Sequence, residues 1–265
     1  MTKFQYMLAP MEDFTDNAFR TLCYRHGADV TFSELLRIEA LADNIKNTWA
    51  RIEKKDNTPV IIQLLGSSEE DLAKFLDKFE PFKGFLGFNL NLGCPDSQVV
   101  SLGYGCAMIK NFSKVKRMVD MIKNKGYSCS IKMRLGKDAK EKEKKFYLNT
   151  IKEVDADFFI VHARHGKQGY EVKPDYSIYK ECCNTRKIII ANGDIDSKEK
   201  VEILKSYGVK GVMIGRSAIN NPQIFNFLKG NKLTPPEEIK KEYNELALKY
   251  NSPFRYRKNI MKRIL

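Results

Sequence analysis

No apolar run in this 265-residue chain approaches the roughly 20 residues that a membrane-spanning helix needs. The opening stretch, Met1 to Pro10, also lacks the apolar centre of a secretory signal. No membrane partner is therefore expected, and the cytoplasm is the expected location. The six cysteines (Cys23, Cys94, Cys106, Cys129, Cys182 and Cys183) have neither zinc-like nor iron–sulfur spacing, so no metal is expected. The chain is also too large to need disulfide staples, which favours reduced thiols, with the Cys182-Cys183 pair read as helix packing. No glycine-rich dinucleotide fingerprint follows the first apolar run, which weakens an open doubly wound sheet. Finally, the last fifteen residues hold no acid.

Basic residues, by contrast, are plentiful. The net charge is +13, from 46 Lys and Arg against 33 Asp and Glu, and suits a polyanionic partner. Ten basic and four acidic residues lie from Lys229 onward. Arg255, Arg257, Lys258, Lys262 and Arg263 alternate with Phe254 and Tyr256, a mixture suited to phosphates and stacked bases as well as to a solvated helix face. At 43% hydrophobic residues the chain is globular and long enough for a large core.

Short β-branched or aromatic runs bounded by turn residues predict strands over 5–9, 29–33, 60–64, 84–91, 128–134, 158–162, 187–191 and 211–215. Helical patterns between them cover 16–26, 68–79, 113–125, 143–153, 197–207 and 217–228. Strand runs such as Val60-Ile61-Ile62 and Ile188-Ile189-Ile190 are apolar throughout, as strands covered on both faces should be. Alternation of this kind predicts a (β/α)8 TIM barrel over residues 1–230, with a short basic helical segment over 231–265. Two helices are expected in that segment, one opened by Thr234-Pro235-Pro236 and one running on from Pro253. A monomer is the expectation.

A barrel of this type gathers its chemistry at the C-terminal ends of its strands. Cys94 stands out there. The run Phe88-Asn89-Leu90-Asn91-Leu92-Gly93-Cys94-Pro95 is a strand ending in turn residues, which puts the thiol on a loop at the barrel mouth. Lys132 and Arg134 are two apart on the fifth strand and share a face, and two inward charges are hard to justify as packing. His162 and Arg164 end the sixth strand, Asn192-Gly193-Asp194 the seventh, and Gly215-Arg216 the eighth. Glycines that bare backbone N–H groups, with Arg216 as a bidentate clamp, suit a phosphate. Ala9-Pro10-Met11 offers a flat apolar wall for a ring whose edge Gln63 and Lys132 could reach. FMN fits that description better than a sugar phosphate.

This ordered set resembles the tRNA-dihydrouridine synthases. It comprises Ala9-Pro10-Met11, Ser33-Glu34, Gln63, Asn91-Leu92-Gly93-Cys94-Pro95, the stretch 103–106, Lys132-Met133-Arg134-Leu135-Gly136, Val161-His162-Ala163-Arg164, Asn192-Gly193-Asp194 and Gly215-Arg216. The resemblance implies an FMN-dependent oxidoreductase that uses NADPH or NADH to saturate C5=C6 of a tRNA uridine. It implies FMN contacts at Gln63, Lys132, His162, Asn192, Gly193, Asp194, Gly215 and Arg216, with Ala9, Pro10 and Met11 as the wall. Asn91 and Arg134 would face the uracil, and Cys94 would be the acid that protonates C5. Cys106, nearby in sequence, is expected to be structural. The chain departs from the family pattern at His165, where a Thr is usual, at Leu35, where a Met is common, and in the shortness of the helical segment after the barrel. Two other readings fit parts of the pattern: a flavin-dependent barrel reductase of a free pyrimidine or enone, and an RNA-binding barrel without catalysis.

Overall fold

A computed structural model describes residues 3–53 and 55–264. Eight parallel strands form one sheet: β1 (Gln5–Leu8), β2 (Thr31–Arg37), β3 (Val60–Leu65), β4 (Phe85–Leu92), β5 (Cys129–Met133), β6 (Phe159–His162), β7 (Ile189–Asn192) and β8 (Gly211–Ile214). Their order is β1-β8-β7-β6-β5-β4-β3-β2. The two ends of that series meet. Met7 bridges Val30, Leu8 N–H donates to Val30 C=O at 2.9 Å, and Asp29 N–H donates to Tyr6 C=O at 2.8 Å. The sheet therefore closes into the expected (β/α)8 barrel.

Each helix between strands buries one stripe. In Asn17–Arg25 the Asp16 side chain caps Phe19 N–H, and Phe19, Leu22 and Cys23 face the sheet. Ser68 and Ser197 cap Glu69–Lys78 and Lys198–Ser206 in the same way. The core has two compartments. One lies between strands and helices, and the other, built from Met7, Ala9, Val30, Phe32, Ile61, Phe158, Ile160, Ile190 and Met213, fills the barrel interior.

The helix expected over 143–153 begins at Phe146, after a separate helix Ala139–Glu143, and the helices Ile38–Ala42, Lys46–Trp49 and Ile178–Cys183 are not among those expected; three further departures stand out. The stretch 217–228 is two helices, Arg216–Asn220 and Ile224–Lys229, because Pro222 has no N–H to continue the first. The loop after β4 holds a short helix, Ser97–Ser101, and a 3-10 turn, Gly105–Lys110, neither apparent from periodicity. Third, β2 runs four residues beyond its expected end, with a register shift between Phe32 and Leu35 that puts Ser33 and Glu34 at a bulge. Ser33 Oγ accepts from Gln63 N–H at 2.9 Å, repairing the ladder there.

The two helices after the barrel are Pro236–Lys249 and Phe254–Met261. Pro236–Lys249 lies along Asn17–Arg25. Its Ile239, Tyr243, Leu246 and Ala247 share the core of the barrel helices, as does Ile260 of the second helix. Glu242 receives His26 at 2.7 Å and Arg25 at 2.9 Å, and Tyr250 donates to Asp56 at 2.7 Å.

Candidate active site

The barrel interior is divided in kind. An apolar layer from β1, β2, β3, β6, β7 and β8 lies lower down, whereas above it β3, β4 and β5 contribute amides and a cation, and β6 and β7 end in His162 and Asn192. Asn91 donates to Gln63 Oε1 at 2.9 Å, Gln63 Nε2 donates to Asn89 at 2.8 Å, and Asn89 donates to Ser130 at 2.8 Å. Alternation along neighbouring strands in register produces this ladder, since Gln63 pairs with Asn89 and Asn91 with Lys132.

Above it, at the strand C-terminal ends, a cavity of about 310 Å³ opens toward solvent. Ala9, Pro10 and Met11 form one wall, and Lys132, His162, Asn192, Gly193, Asp194, Gly215 and Arg216 are among the residues that line the remainder. Ten of the eleven sequence-predicted cofactor positions thus lie around one space. The exception is Gln63, buried just below the cavity in the amide ladder.

Electrostatics sharpen the picture. Burial, and then the neighbouring Arg134, pull the Lys132 ammonium down to a pKa of about 8, and Cys94 is the one group that raises it. Among the described residues no carboxylate is placed beside this cation. His162 is held far below its ordinary range by burial and by Lys132, Arg134, Arg164 and Arg216, so its ring is neutral. Its Nε2 lies 3.1 Å from Arg164 Nη1, and a guanidinium can only donate, so the ring proton sits on Nδ1. Gly193 adopts φ +122°, and a Cβ there would come within 2.9 Å of His162 Cδ2; glycine is required at this turn.

Arg164 is fully buried and organises the loop after β6. It donates to Val172 C=O at 2.6 Å and to Tyr170 C=O at 3.2 Å, and it pairs with Asp194. Asp194 also pairs with Arg216 and is held below the usual carboxylate range despite partial burial, because both guanidinia bond to it.

Cys94 sits beside this cavity, partly exposed, on the loop after β4. Asn91 Oδ1 accepts from Gly93 N–H at 3.0 Å and Cys94 N–H at 2.9 Å, which shapes the turn. That leaves one amide N–H of Asn91 without a partner in the turn or the ladder. Burial pushes the Cys94 thiol up, while Lys132 and Arg134 pull against it. Arg134 is buried and donates to the carbonyls of His165 at 3.0 Å and Gln168 at 3.3 Å. Cys106 is fully buried, and its N–H donates to Cys94 C=O at 3.0 Å.

Glu34, at the β2 bulge, is also buried. It accepts from Asp13 N–H at 2.5 Å and from the Tyr256 hydroxyl at 2.6 Å. This carboxylate links the loop after β1 to the last helix, and burial raises its pKa. A second cavity of about 490 Å³ lies beside it, between Arg20, Arg51, Tyr250 and Tyr256.

Tyr170 escaped the sequence reading. Its ring lines the cavity, parallel to the His162 ring within 18° at 6.4 Å and with Arg216 Cζ 3.7 Å from its centroid. A faint signal was available: one aromatic in the polar loop Gly166-Lys167-Gln168-Gly169-Tyr170-Glu171, following a site strand. Among the described residues no cluster of His, Cys, Asp or Glu could hold a metal ion, and no helix is long and apolar enough to cross a membrane.

Fold and cavity together define a (β/α)8 barrel with Lys132, Asp194 and Arg216 at its mouth and a thiol beside it. The fold is shared with phosphoribosyl anthranilate isomerase from Thermococcus kodakaraensis, at TM-score 0.51 and 15% identity, over 87% of this chain and all of that one. The sequence profile of the dihydrouridine synthase (Dus) family matches residues 7–260, and the chain belongs to that family. Among its relatives, the probable tRNA-dihydrouridine synthase of Helicobacter pylori (strain ATCC 700392 / 26695) is 30% identical, over 89% of this chain and 73% of that protein. The probable tRNA-dihydrouridine synthase of Staphylococcus aureus (strain COL) is 30% identical, over 94% and 77%. The tRNA-dihydrouridine synthase B of Xanthomonas campestris pv. campestris is 28% identical, over 88% and 72%.

Proposed function

We propose that this chain is a tRNA-dihydrouridine synthase that binds FMN, is reduced by NADPH or NADH, and saturates C5=C6 of a tRNA uridine. The observation that carries the reading is Lys132, an enclosed ammonium with no carboxylate partner among the described residues, lining a cavity with an apolar wall on one side and Arg216 on another. FMN matches that donor set. Arg216 and the strand-end glycines Gly193 and Gly215 would hold its phosphate, Ala9-Pro10-Met11 its ring, and Lys132 the polar ring edge, with Asn192 and neutral His162 between. Bound there, FMN would supply the hydride for C6 of the uridine.

The chain's own residues do the rest. Cys94, raised by burial, stays a thiol at neutral pH and can release its proton from Sγ to C5 of the base. Arg134 and the spare N–H of Asn91 can take the negative charge that develops on the uracil carbonyls. Asn91 also holds Cys94 in position through the two N–H groups it accepts. A uridine in folded RNA must leave its stack to enter such a pocket, and the basic residues after Lys229 suit the surrounding phosphates. The barrel 1–230 is assigned the chemistry and the segment 231–265 a share in gripping tRNA, in the cytoplasm.

The test is a single-turnover assay on the full chain. Its visible spectrum should show a flavin that NADPH bleaches and that unmodified tRNA reoxidises, with dihydrouridine formed. Reoxidation by a free pyrimidine but not by tRNA would place the chain among reductases of small substrates; absence of flavin binding would overturn the reading.

Lys132 also makes a pH prediction. The free ammonium deprotonates near pH 8, so FMN affinity should be highest below that value and fall as pH rises through it. Lys132→Met should bind FMN about 10- to 100-fold more weakly at pH 7 and lose this dependence, given about 1.5–3 kcal/mol for a charge-assisted hydrogen bond. In the flavin-free protein the sign reverses. A cation whose folded pKa is lowered costs stability below about pH 8, a cost relieved between there and its ordinary 10.5. Flavin-free Lys132→Met should accordingly melt higher than wild type at pH 7. Fluorescence titration across pH 6–9.5 and thermal melts, each with about half-unit steps, check both.

A further inference from the structure

Tyr170 is 55% exposed, yet its ring is surrounded by cations. Arg216 Cζ lies 3.7 Å from the ring centroid, Arg164 Cζ 5.8 Å and Arg134 Cζ 5.9 Å. The loop that carries it is tied down from beneath, since buried Arg164 donates to Tyr170 C=O and Val172 C=O. Arg216, in contrast, is half exposed and is gripped at one edge by Asp194. An arginine at the start of a five-residue helix has long-chain freedom; the face of Tyr170 removes much of it.

We propose that Tyr170 is a positioning residue that holds the Arg216 guanidinium by its flat face, leaving the in-plane N–H groups directed at the cofactor phosphate. This inference rests on the FMN reading above. Stacking uses the π-face of the guanidinium, whereas bidentate phosphate binding uses its edge, so the two contacts are compatible and the first prepares the second. Asp194 competes for the edge but not for the face. Tyr170 would therefore let Arg216 exchange Asp194 for a phosphate without becoming disordered. The consequence is selective: Tyr170 should matter for a flavin that carries a phosphate and be irrelevant to one that does not.

The experiment titrates the full chain, stripped of flavin, with FMN and with riboflavin, following flavin fluorescence. Tyr170→Ala should weaken FMN about tenfold, equal to about 1.4 kcal/mol, and leave riboflavin affinity as in wild type. Tyr170→Phe keeps the ring face and should restore FMN affinity. The melting temperature of Tyr170→Ala should match wild type, since the side chain is exposed. Equal weakening of both flavins would make Tyr170 a wall of the ring site and overturn the inference, as would unchanged FMN affinity. A wild-type chain that binds FMN no better than riboflavin would also overturn it while leaving a flavin site. Binding of neither flavin would instead sink the FMN reading, and this inference with it.

Discussion

Cys94→Ala is expected to lower dihydrouridine formation about 10²- to 10⁴-fold, the range for loss of a positioned general acid. The effect should fall on one step. Cys94 is absent from the lining of the candidate cofactor cavity, so FMN affinity and reduction by NADPH should survive, while reoxidation by tRNA should not. Its side chain is short and partly exposed, so the variant should melt close to wild type. The pH profile carries a second signature. The thiol is pushed above its ordinary 9.0 by burial, so at saturating FMN the wild-type rate should hold through neutral pH and fall only on the alkaline side. Cys106→Ala is the discriminating control. Cys106 is buried and joined to the Cys94 loop through its backbone N–H, so its variant should retain tRNA-dependent reoxidation. Loss of that step in Cys106→Ala with retention in Cys94→Ala would transfer the acid role to Cys106.

Arg164→Met should destabilise the chain by about 3 kcal/mol, toward the lower end for breaking a buried ion pair. The lower end applies because Asp194, its partner, is 28% exposed and can recover some hydration. Three other groups lose their donor at once: Val172 C=O, Tyr170 C=O and His162 Nε2. For a chain of this size the melting temperature should fall by about 6–12 °C. FMN affinity should fall as well, since the Tyr170 loop and Asp194 both border Arg216. Arg164→Lys should recover little, because an ammonium cannot reach three directions with a planar fork. A melt within about 1 °C of wild type would mean that the loop after β6 has other anchors.

Much of this site was legible in the chain. The order of strand-end motifs placed Lys132, His162, Gly193, Asp194, Gly215 and Arg216 around one space, because in a parallel barrel every strand ends on the same side. Lys132 lines that space, whereas Arg134 lies just past the end of β5, buried against the His165 and Gln168 carbonyls, and reaches Lys132 through its charge. The Ser33-Glu34 bulge was invisible, since a register shift depends on the neighbouring strand. Glu34 consequently looked like a residue at a strand end, when its carboxylate in fact joins Asp13 to Tyr256, 222 positions further along the chain. Tyr170 was missed for a related reason: nothing local distinguishes a loop tyrosine that meets solvent from one that meets three guanidinia.

By itself, then, the sequence determined the alternation of strands and helices, the residues at each strand end, and the thiol and cations among them. All of these follow from period, turn chemistry and side-chain type, which are local properties. Only the tertiary structure decided what those residues face: that Lys132 has no carboxylate partner among the described residues, that Arg164 anchors a loop instead of reaching the cavity, and that Arg216 lies on an aromatic ring. Desolvation and charge pairing depend on distances between segments far apart in the chain, and those distances exist only once the barrel has closed.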